Sequence, residues 1–199
     1  MSLPKCLFFD WREIDNLVKR MFLQIEKQKY HPEIIIAISR DGLIPARILS
    51  NYMPKVNFEI LQIRRYPFGK KAILNPKIFF KPINSLKGKR ILIVDDMADN
   101  GITIKIIKKF ISKYNPSHIK TAILYSKNKN KDIADFISKK NYFNKFAIFP
   151  WNKFEMMNDF VERNLKKATD KNIFIILKEI GFRQKDIRFY LRYLKSKGL

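Results

Sequence analysis

A chain of 199 residues can bury one substantial core with at most a small appendage. Hydrophobic residues at 46% and charged residues at 30% exclude a disordered protein, and no apolar run nears the roughly 18 residues of a membrane span. With 41 Lys and Arg against 18 Asp and Glu the formal charge is +23, which points to polyanionic ligands, either nucleic acid or phosphorylated substrates. That basicity is spread out: Asn152 to Leu199 holds 12 basic and 6 acidic residues, close to the density of the whole chain. A solvated lysine-rich surface is the simpler reading, and nucleic-acid binding the less favoured one. Cys6 is the only cysteine, which excludes an internal disulfide and fits a reducing cytoplasm. His31 and His118 lack Cys or His company at ligand spacing, so no structural zinc is expected. Met1 to Phe9 lacks a charged stretch followed by a long apolar one, so no secretory signal is expected either.

In chain order, Asp10 to about Lys29 predicts an amphipathic helix, with Trp11, Ile14, Val18, Met21, Phe22 and Ile25 at helical spacing. Ile34 to Ile38 reads as a buried strand, Ser39-Arg40-Asp41-Gly42 as a turn, and Leu43 to Tyr52 as a helix that tolerates Pro45 in its first turn. Asn57 to Ile63 alternates enough for a strand. Arg64 to Lys89, rich in Pro, Gly, basic and aromatic residues, is too long for a plain connection and is expected to be a flexible functional loop. Ile91 to Val94 is a strand buried on both faces, expected to end at Asp95-Asp96, and a helix follows from Ile104 to about Tyr114. Ile119 to Tyr125 is a strand, Asp132 to Lys140 a short helix, and Phe146 to Phe149 a short strand. Glu155 to Leu199 predicts two or three helices punctuated by Gly181. Strands alternating with helices in this way predict an α/β fold: a central, mainly parallel sheet flanked by helices, with ligands beyond the carboxyl ends of the strands.

The acidic turn narrows the chemistry. Ile91 to Asp96 alone resembles the magnesium strand of nucleoside triphosphatases, but that role needs a Gly-x-x-x-x-Gly-Lys-Ser/Thr loop upstream. Gly69-Lys70 and Gly88-Lys89 both lack the earlier glycine, with Arg64 and Ile83 in its place. A response-regulator pocket would use the paired aspartates but leaves Gly101 to Thr103 unexplained. What the residues themselves offer is a carboxylate pair followed by a helix N-terminus suited to a ligand with hydroxyls and phosphates.

Val94-Asp95-Asp96-Met97-Ala98-Asp99-Asn100-Gly101-Ile102-Thr103 resembles the phosphoribosyl pyrophosphate signature of the type I phosphoribosyltransferases, departing from it only at Asn100, where that pattern has Thr. Ala37 to Ala46 is similar to the pyrophosphate loop of the purine branch, particularly the xanthine-guanine and archaeal 6-oxopurine enzymes. Phe146 to Trp151 is similar to the base-pocket segment of that branch, and Asp10 to Ile14 to its first helix start. The resemblance spans about residues 8 to 155. It implies the type I phosphoribosyltransferase fold over residues 1–155, with the flexible loop at about 64–89, and a C-terminal helical extension over 156–199 that it does not cover.

The same resemblance assigns roles. Asp95 and Asp96 would hold the ribose hydroxyls and, mostly indirectly, magnesium. Ala98, Asp99, Asn100, Gly101, Ile102 and Thr103 would cradle the 5′-phosphate, and Asp99 would also be the general acid/base at the purine. Ser39, Arg40, Asp41 and Gly42 would bind pyrophosphate, with Asp41 replacing a more usual Gly. Lys127 would donate to O6, Phe146 would stack on the base, and the backbone of Ala147 and Ile148 would read its other edge. Tyr66 is a weaker candidate for the lid. The expected activity is purine salvage with a 6-oxopurine favoured and adenine as the alternative, in a cytoplasmic homodimer using Mg2+, phosphoribosyl pyrophosphate and a purine base. A nucleic-acid-binding regulator that senses the phosphoribosyl donor is the reading from another class.

Overall fold

The computed structural model describes residues 3–63, 76–127, 133–140, 145–165 and 168–197. These divide into two compact units: residues 11–63, 76–127 and 133–140 in one, and 3–10, 145–165 and 168–197 in the other. Tyr66 lies outside the described residues.

The larger unit is built on a six-stranded sheet of β2 (Ile34–Ser39), β3 (Asn57–Ile63), β4 (Ile78–Phe79), β5 (Arg90–Ala98), β6 (His118–Ser126) and β7 (Phe136–Lys140), in the order β4-β3-β2-β5-β6-β7. Every pair is parallel except β3–β4. Ile34, Ile36 and Ile38 of β2 and Ile91 and Ile93 of β5 pack with Ile104, Ile107 and Ile111 of helix α3 (Ile102–Ile111). The alternate residues Ile35, Ala37, Leu92 and Val94 are equally buried, so the strands are covered on both faces, as their unbroken apolar runs require. Helices α1 (Trp11–Lys27) and α2 (Leu43–Ser50) pack on the sheet through Ile14, Leu17, Val18, Met21 and Ile25 of α1 and Ala46 and Leu49 of α2. The outer strand β7 does not present a bare edge: Arg20 Nη1 donates to the Ser138 carbonyl at 3.2 Å and Gln24 Nε2 to that of Ile137 at 3.1 Å.

Two expectations are corrected here. Residues 136–140, expected as part of a helix over Asp132 to Lys140, form strand β7. Ile133, Phe136 and Ile137 do fall at helical spacing, but pairing with β6 prevails. The Asp135 carboxylate secures it by accepting from both the backbone N–H and the hydroxyl of Thr121, each at 2.8 Å. Strand β5 runs on through Ala98, so Asp95 and Asp96 lie inside the strand and not beyond its end.

The smaller unit pairs β1 (Cys6–Phe8), which the sequence did not reveal, in parallel with β8 (Phe146–Ile148) as a separate two-stranded sheet. Helices α4 (Lys153–Asn164), α5 (Asp170–Ile180) and α6 (Gln184–Ser196) share a core of Met157, Val161, Ile173, Leu177, Ile187, Tyr190 and Leu194. Thr169 caps α5 by accepting from Asn172 N, and Gly181 ends it in the left-handed region at φ 112°. A methyl at Gly181 would also lie 2.8 Å from the Phe8 ring, which itself meets Phe182 edge-on at 5.0 Å. Gly181→Ala is therefore expected to destabilise the protein by about 1–2 kcal/mol. A urea midpoint that does not move would show that this cap needs no glycine.

Candidate active site

The chain leaves β2 toward β3 on one side and returns to β5 on the other, so the strand order reverses between β2 and β5. Ligands in open α/β sheets bind at such a point, beyond the carboxyl ends of the strands. The register creates the space. The last residues that β2 and β5 share are Ala37 and Val94, while β5 continues beside β6 as far as Ala98 opposite Ser126. Among the described residues, no strand lies beside one flank of β5 from Asp95 onward, and the turn at Gly42 comes up against Asp95 there.

Gly42 is what allows the turn to lie so close. A Cβ on it would sit 2.6 Å from the Ile38 carbonyl oxygen, 2.8 Å from Asp95 Oδ1 and 2.9 Å from Asp95 Cα. Its φ of −65° is ordinary, so the requirement is for space and not for a left-handed backbone. Backbone bonds from Leu43 N to the Arg40 carbonyl and from Ile44 N to that of Asp41 lead the turn into α2. The Ser39–Arg40 peptide is cis. Asp41, which replaces a more usual Gly, does not take up a left-handed conformation.

Asp95 and Asp96 are buried, at 9% and 8% exposure, and among the described residues neither enters an ion pair. Burial and then the Asp96 charge push the Asp95 carboxyl well above its usual range. Burial and then the Asp41 charge push Asp96 up to about 7. Asp41 thus adds its charge to two carboxylates that are hardly hydrated, concentrating like charge at the turn. Their hard oxygen donors fit magnesium. Among the described residues no group of three or more His, Cys, Asp or Glu could enclose a metal, so an ion here would complete its shell with water and ligand oxygens.

Beyond Ala98, Asn100 Oδ1 accepts from Ile102 N at 3.1 Å, at the start of α3. Gly101 has φ 71°, and a methyl on it would be 2.9 Å from Ile133 Cγ2, so both conformation and space call for glycine. Thr103 is half-buried in the first turn of α3.

Asp99 and Lys127, assigned separate roles by the sequence, lie together: Lys127 Nζ is 3.4 Å from Asp99 Oδ1. The β5–β6 register matches Met97 with Tyr125 and Ala98 with Ser126, so Asp99 and Lys127 follow side by side. Lys127 N also donates to the Ala98 carbonyl at 3.3 Å. The lysine side chain is 16% exposed and the aspartate 50%, so the ammonium is the more enclosed partner. Phe146, Ala147 and Ile148 belong to the smaller unit, where Phe146 is half-exposed and the other two are buried. The Ile148 carbonyl accepts from Phe9 N at 2.9 Å and Phe146 N donates to the Lys5 carbonyl. Alternation along the ladder turns the N–H and C=O of Ala147 to the other edge of β8. Sequence reasoning missed the dependence of Asp95 on Gly42, the Asp41 charge and the Ile133 contact. The glycines themselves were the available signal.

A carboxyl whose folded-state affinity for a proton exceeds its unfolded one loses stability as pH rises through the window between the two values. For Asp96 that window runs from about 4 to about 7. In metal-free buffer Asp96→Asn should thus raise Tm more at pH 8 than at pH 5, and equal shifts at both values would contradict the burial argument.

The family model for the phosphoribosyl transferase domain matches residues 8–154. A xanthine-guanine phosphoribosyltransferase of Gluconobacter oxydans is 32% identical over 125 residues, which make up 62% of this chain and 71% of that protein. A hypoxanthine-guanine phosphoribosyltransferase of Aquifex aeolicus is 26% identical over 131 residues, 63% of this chain and 74% of that protein. Of the solved structures, a purine phosphoribosyltransferase from Pyrococcus horikoshii has a TM-score of 0.63 at 28% identity, covering 74% of this chain and 93% of that one. A protein of Neisseria gonorrhoeae solved with bound ppGpp has a TM-score of 0.64 at 18% identity, covering 85% of this chain and 100% of that one, a likeness of fold alone. The family match takes in both turns at the β2–β5 switch point, the Asp99–Lys127 pair and the start of α1, and the chain accordingly belongs to the phosphoribosyl transferase family of enzymes.

Proposed function

We propose that the chain transfers the phosphoribosyl group of phosphoribosyl pyrophosphate to N9 of a 6-oxopurine, releasing pyrophosphate and a nucleoside monophosphate for purine salvage. The observation that carries this reading is the Asp99–Lys127 pair. A 6-oxopurine carries O6 and N7 side by side on one edge. A carboxylate and an ammonium 3.4 Å apart match that edge, the lysine donating to O6 and the aspartate taking the N7 proton as N9 bonds to C1′. Adenine presents an amino group where O6 would be, which sets donor against donor. The names of the Gluconobacter and Aquifex relatives support the same substrate class.

The other groups divide the donor between them. Asp95 and Asp96 accept from the ribose hydroxyls, and the start of α3 with Thr103 receives the 5′-phosphate. Arg40 meets the leaving pyrophosphate. Magnesium, held through water and ligand oxygens beside Asp95 and Asp96, would supply the remaining neutralisation of that leaving group. Within the smaller unit, taken by itself, Phe146 offers a half-exposed ring, and the Ile148 carbonyl is already engaged by Phe9 N. The reading carries with it a homodimeric enzyme working in the cytoplasm.

The decisive experiment offers purified protein phosphoribosyl pyrophosphate, magnesium and each of hypoxanthine, guanine, xanthine and adenine. Conversion of at least one 6-oxopurine in preference to adenine is expected, with KM for that base raised in Lys127→Ala. Turnover of adenine alone, or of no base, would sink the proposal. Asp99→Asn should lower kcat by about 100-fold or more while KM for the donor stays nearly constant. An unaltered rate would remove Asp99 from the chemistry.

A further inference from the structure

Helix α6 carries a face that the proposed reaction does not use. Alanine 168 to Lys197 contains eight Lys and Arg against three Asp and Glu, so this segment alone holds a net charge of +5. Two of the three acids are already engaged: Asp170 with Lys195 at 3.1 Å, and Asp186 with Lys153 and Arg183, both at 3.2 Å. Lys185, Arg188 and Arg192 are exposed and, among the described residues, form no ion pair. From Lys185 to Lys195 the basic side chains span about 15 Å of helix.

This cationic line borders an open groove of about 390 Å³ between α5 and α6, floored by Phe174 and Leu191 and bordered by Lys171, Arg188 and Arg192. Along its other side run two aromatic rings one turn apart, Phe189 at 64% exposure and Tyr193 at 37%. Phe154 of α4 meets them edge-on at 6.1 and 5.0 Å and meets the buried Tyr190 at 5.4 Å. Tyr190 therefore supplies the core contact, while the outer rings are propped from beneath, Phe189 open to solvent and Tyr193 with the Lys197 ammonium 6.0 Å from its centroid.

Alternating arginines and exposed aromatic rings on one rigid helix provide what a strand of unpaired nucleotides requires: cations for its phosphates and flat surfaces for its bases. Paired bases in a duplex are already stacked and leave the rings nothing to cover. We propose that the α5–α6 face, centred on Arg188, Phe189, Arg192 and Tyr193, binds single-stranded nucleic acid. The inference rests on this unit alone and stands or falls independently of which purine base is used.

The test is fluorescence anisotropy of the full chain with a labelled oligothymidylate of about 12 nucleotides and with its duplex, from about 50 to 200 mM salt. The single strand should bind more tightly. Arg188→Ala with Arg192→Ala should flatten the slope of log K against log salt by about 1.4, two phosphates at about 0.7 each. Phe189→Ala with Tyr193→Ala should weaken binding by about fivefold or more for each base stacked and leave that slope in place. Lys87→Ala with Lys113→Ala removes the same charge from exposed sites on the sheet unit and should change neither quantity. Circular dichroism of the four proteins checks that the helices persist. Tighter binding of the duplex, an aromatic variant that binds like the parent, or an arginine variant no different from the lysine one would overturn the proposal. So would capture by phosphatidylserine vesicles that the oligonucleotide cannot displace, which would make the face a membrane surface.

Discussion

The site depends on one close approach, the backbone of Gly42 lying against Asp95. Because β2 stops pairing with β5 at Val94, the strand carries its two carboxylates into a gap, and only a residue without Cβ can fill that gap so closely. The consequence is electrostatic as well as steric. With Asp95 and Asp96 shut away from water and Asp41 drawn near, like charge is concentrated there and both carboxyls are pushed above their ordinary range. Holding these carboxyls away from water costs folding free energy, which burial of Ile34, Ile35, Ile36, Ile38, Ile91 and Ile93 in β2 and β5 offsets. The apolar strands thus hold in position a charge cluster that would otherwise relax toward solvent.

Register does for Asp99 and Lys127 what steric fit does for Asp95. Neither residue lies within a helix or strand, yet they follow a ladder that matches Ala98 with Ser126. A slip of one residue would turn each side chain to the opposite face and separate carboxylate from ammonium. Precise placement therefore comes from the sheet interior, where Val94 faces Ala122 and Asp95 faces Ile123, and the loops inherit it. In the smaller unit the two-stranded sheet joins the helical core through Ile148 and Phe8. The order of the α5–α6 face comes from the Thr169 cap, the Gly181 terminus and the Tyr190 core.

What could be read from the sequence follows the same division. The runs Ile34 to Ile38, Ile91 to Val94 and Ile119 to Tyr125 announce buried parallel strands because apolar residues on both faces have no other economical arrangement. The segment around Phe136 misled because its apolar spacing satisfies a helix as well, and the deciding bonds from Thr121 to Asp135 join residues 14 apart in sequence. Strand β1 escaped because three residues carry no period, and β8, its partner, lies 140 residues away. At the site, the carboxylates, glycines and Thr103 were legible as a local string. Their couplings were not: Gly42 with Asp95, Gly101 with Ile133 and Asp99 with Lys127 all arise from how separate strands and turns are brought together.

Asn100 is where the string departs from the family pattern, and its geometry shows what the departure does. Its side-chain carbonyl accepts from Ile102 N, one of the amides that a helix start leaves without a partner. A phosphate at the same place would compete for that amide, so the helix start is satisfied without ligand and must exchange one acceptor for another on binding. The exchange is close to balanced, since the freed side chain can turn its amide N–H groups toward the phosphate, a donation no carboxylate at this position could make. In the proposed phosphate role an asparagine here satisfies the start of α3 without ligand, while Gly101 and Thr103 on either side of Ile102 match the family pattern.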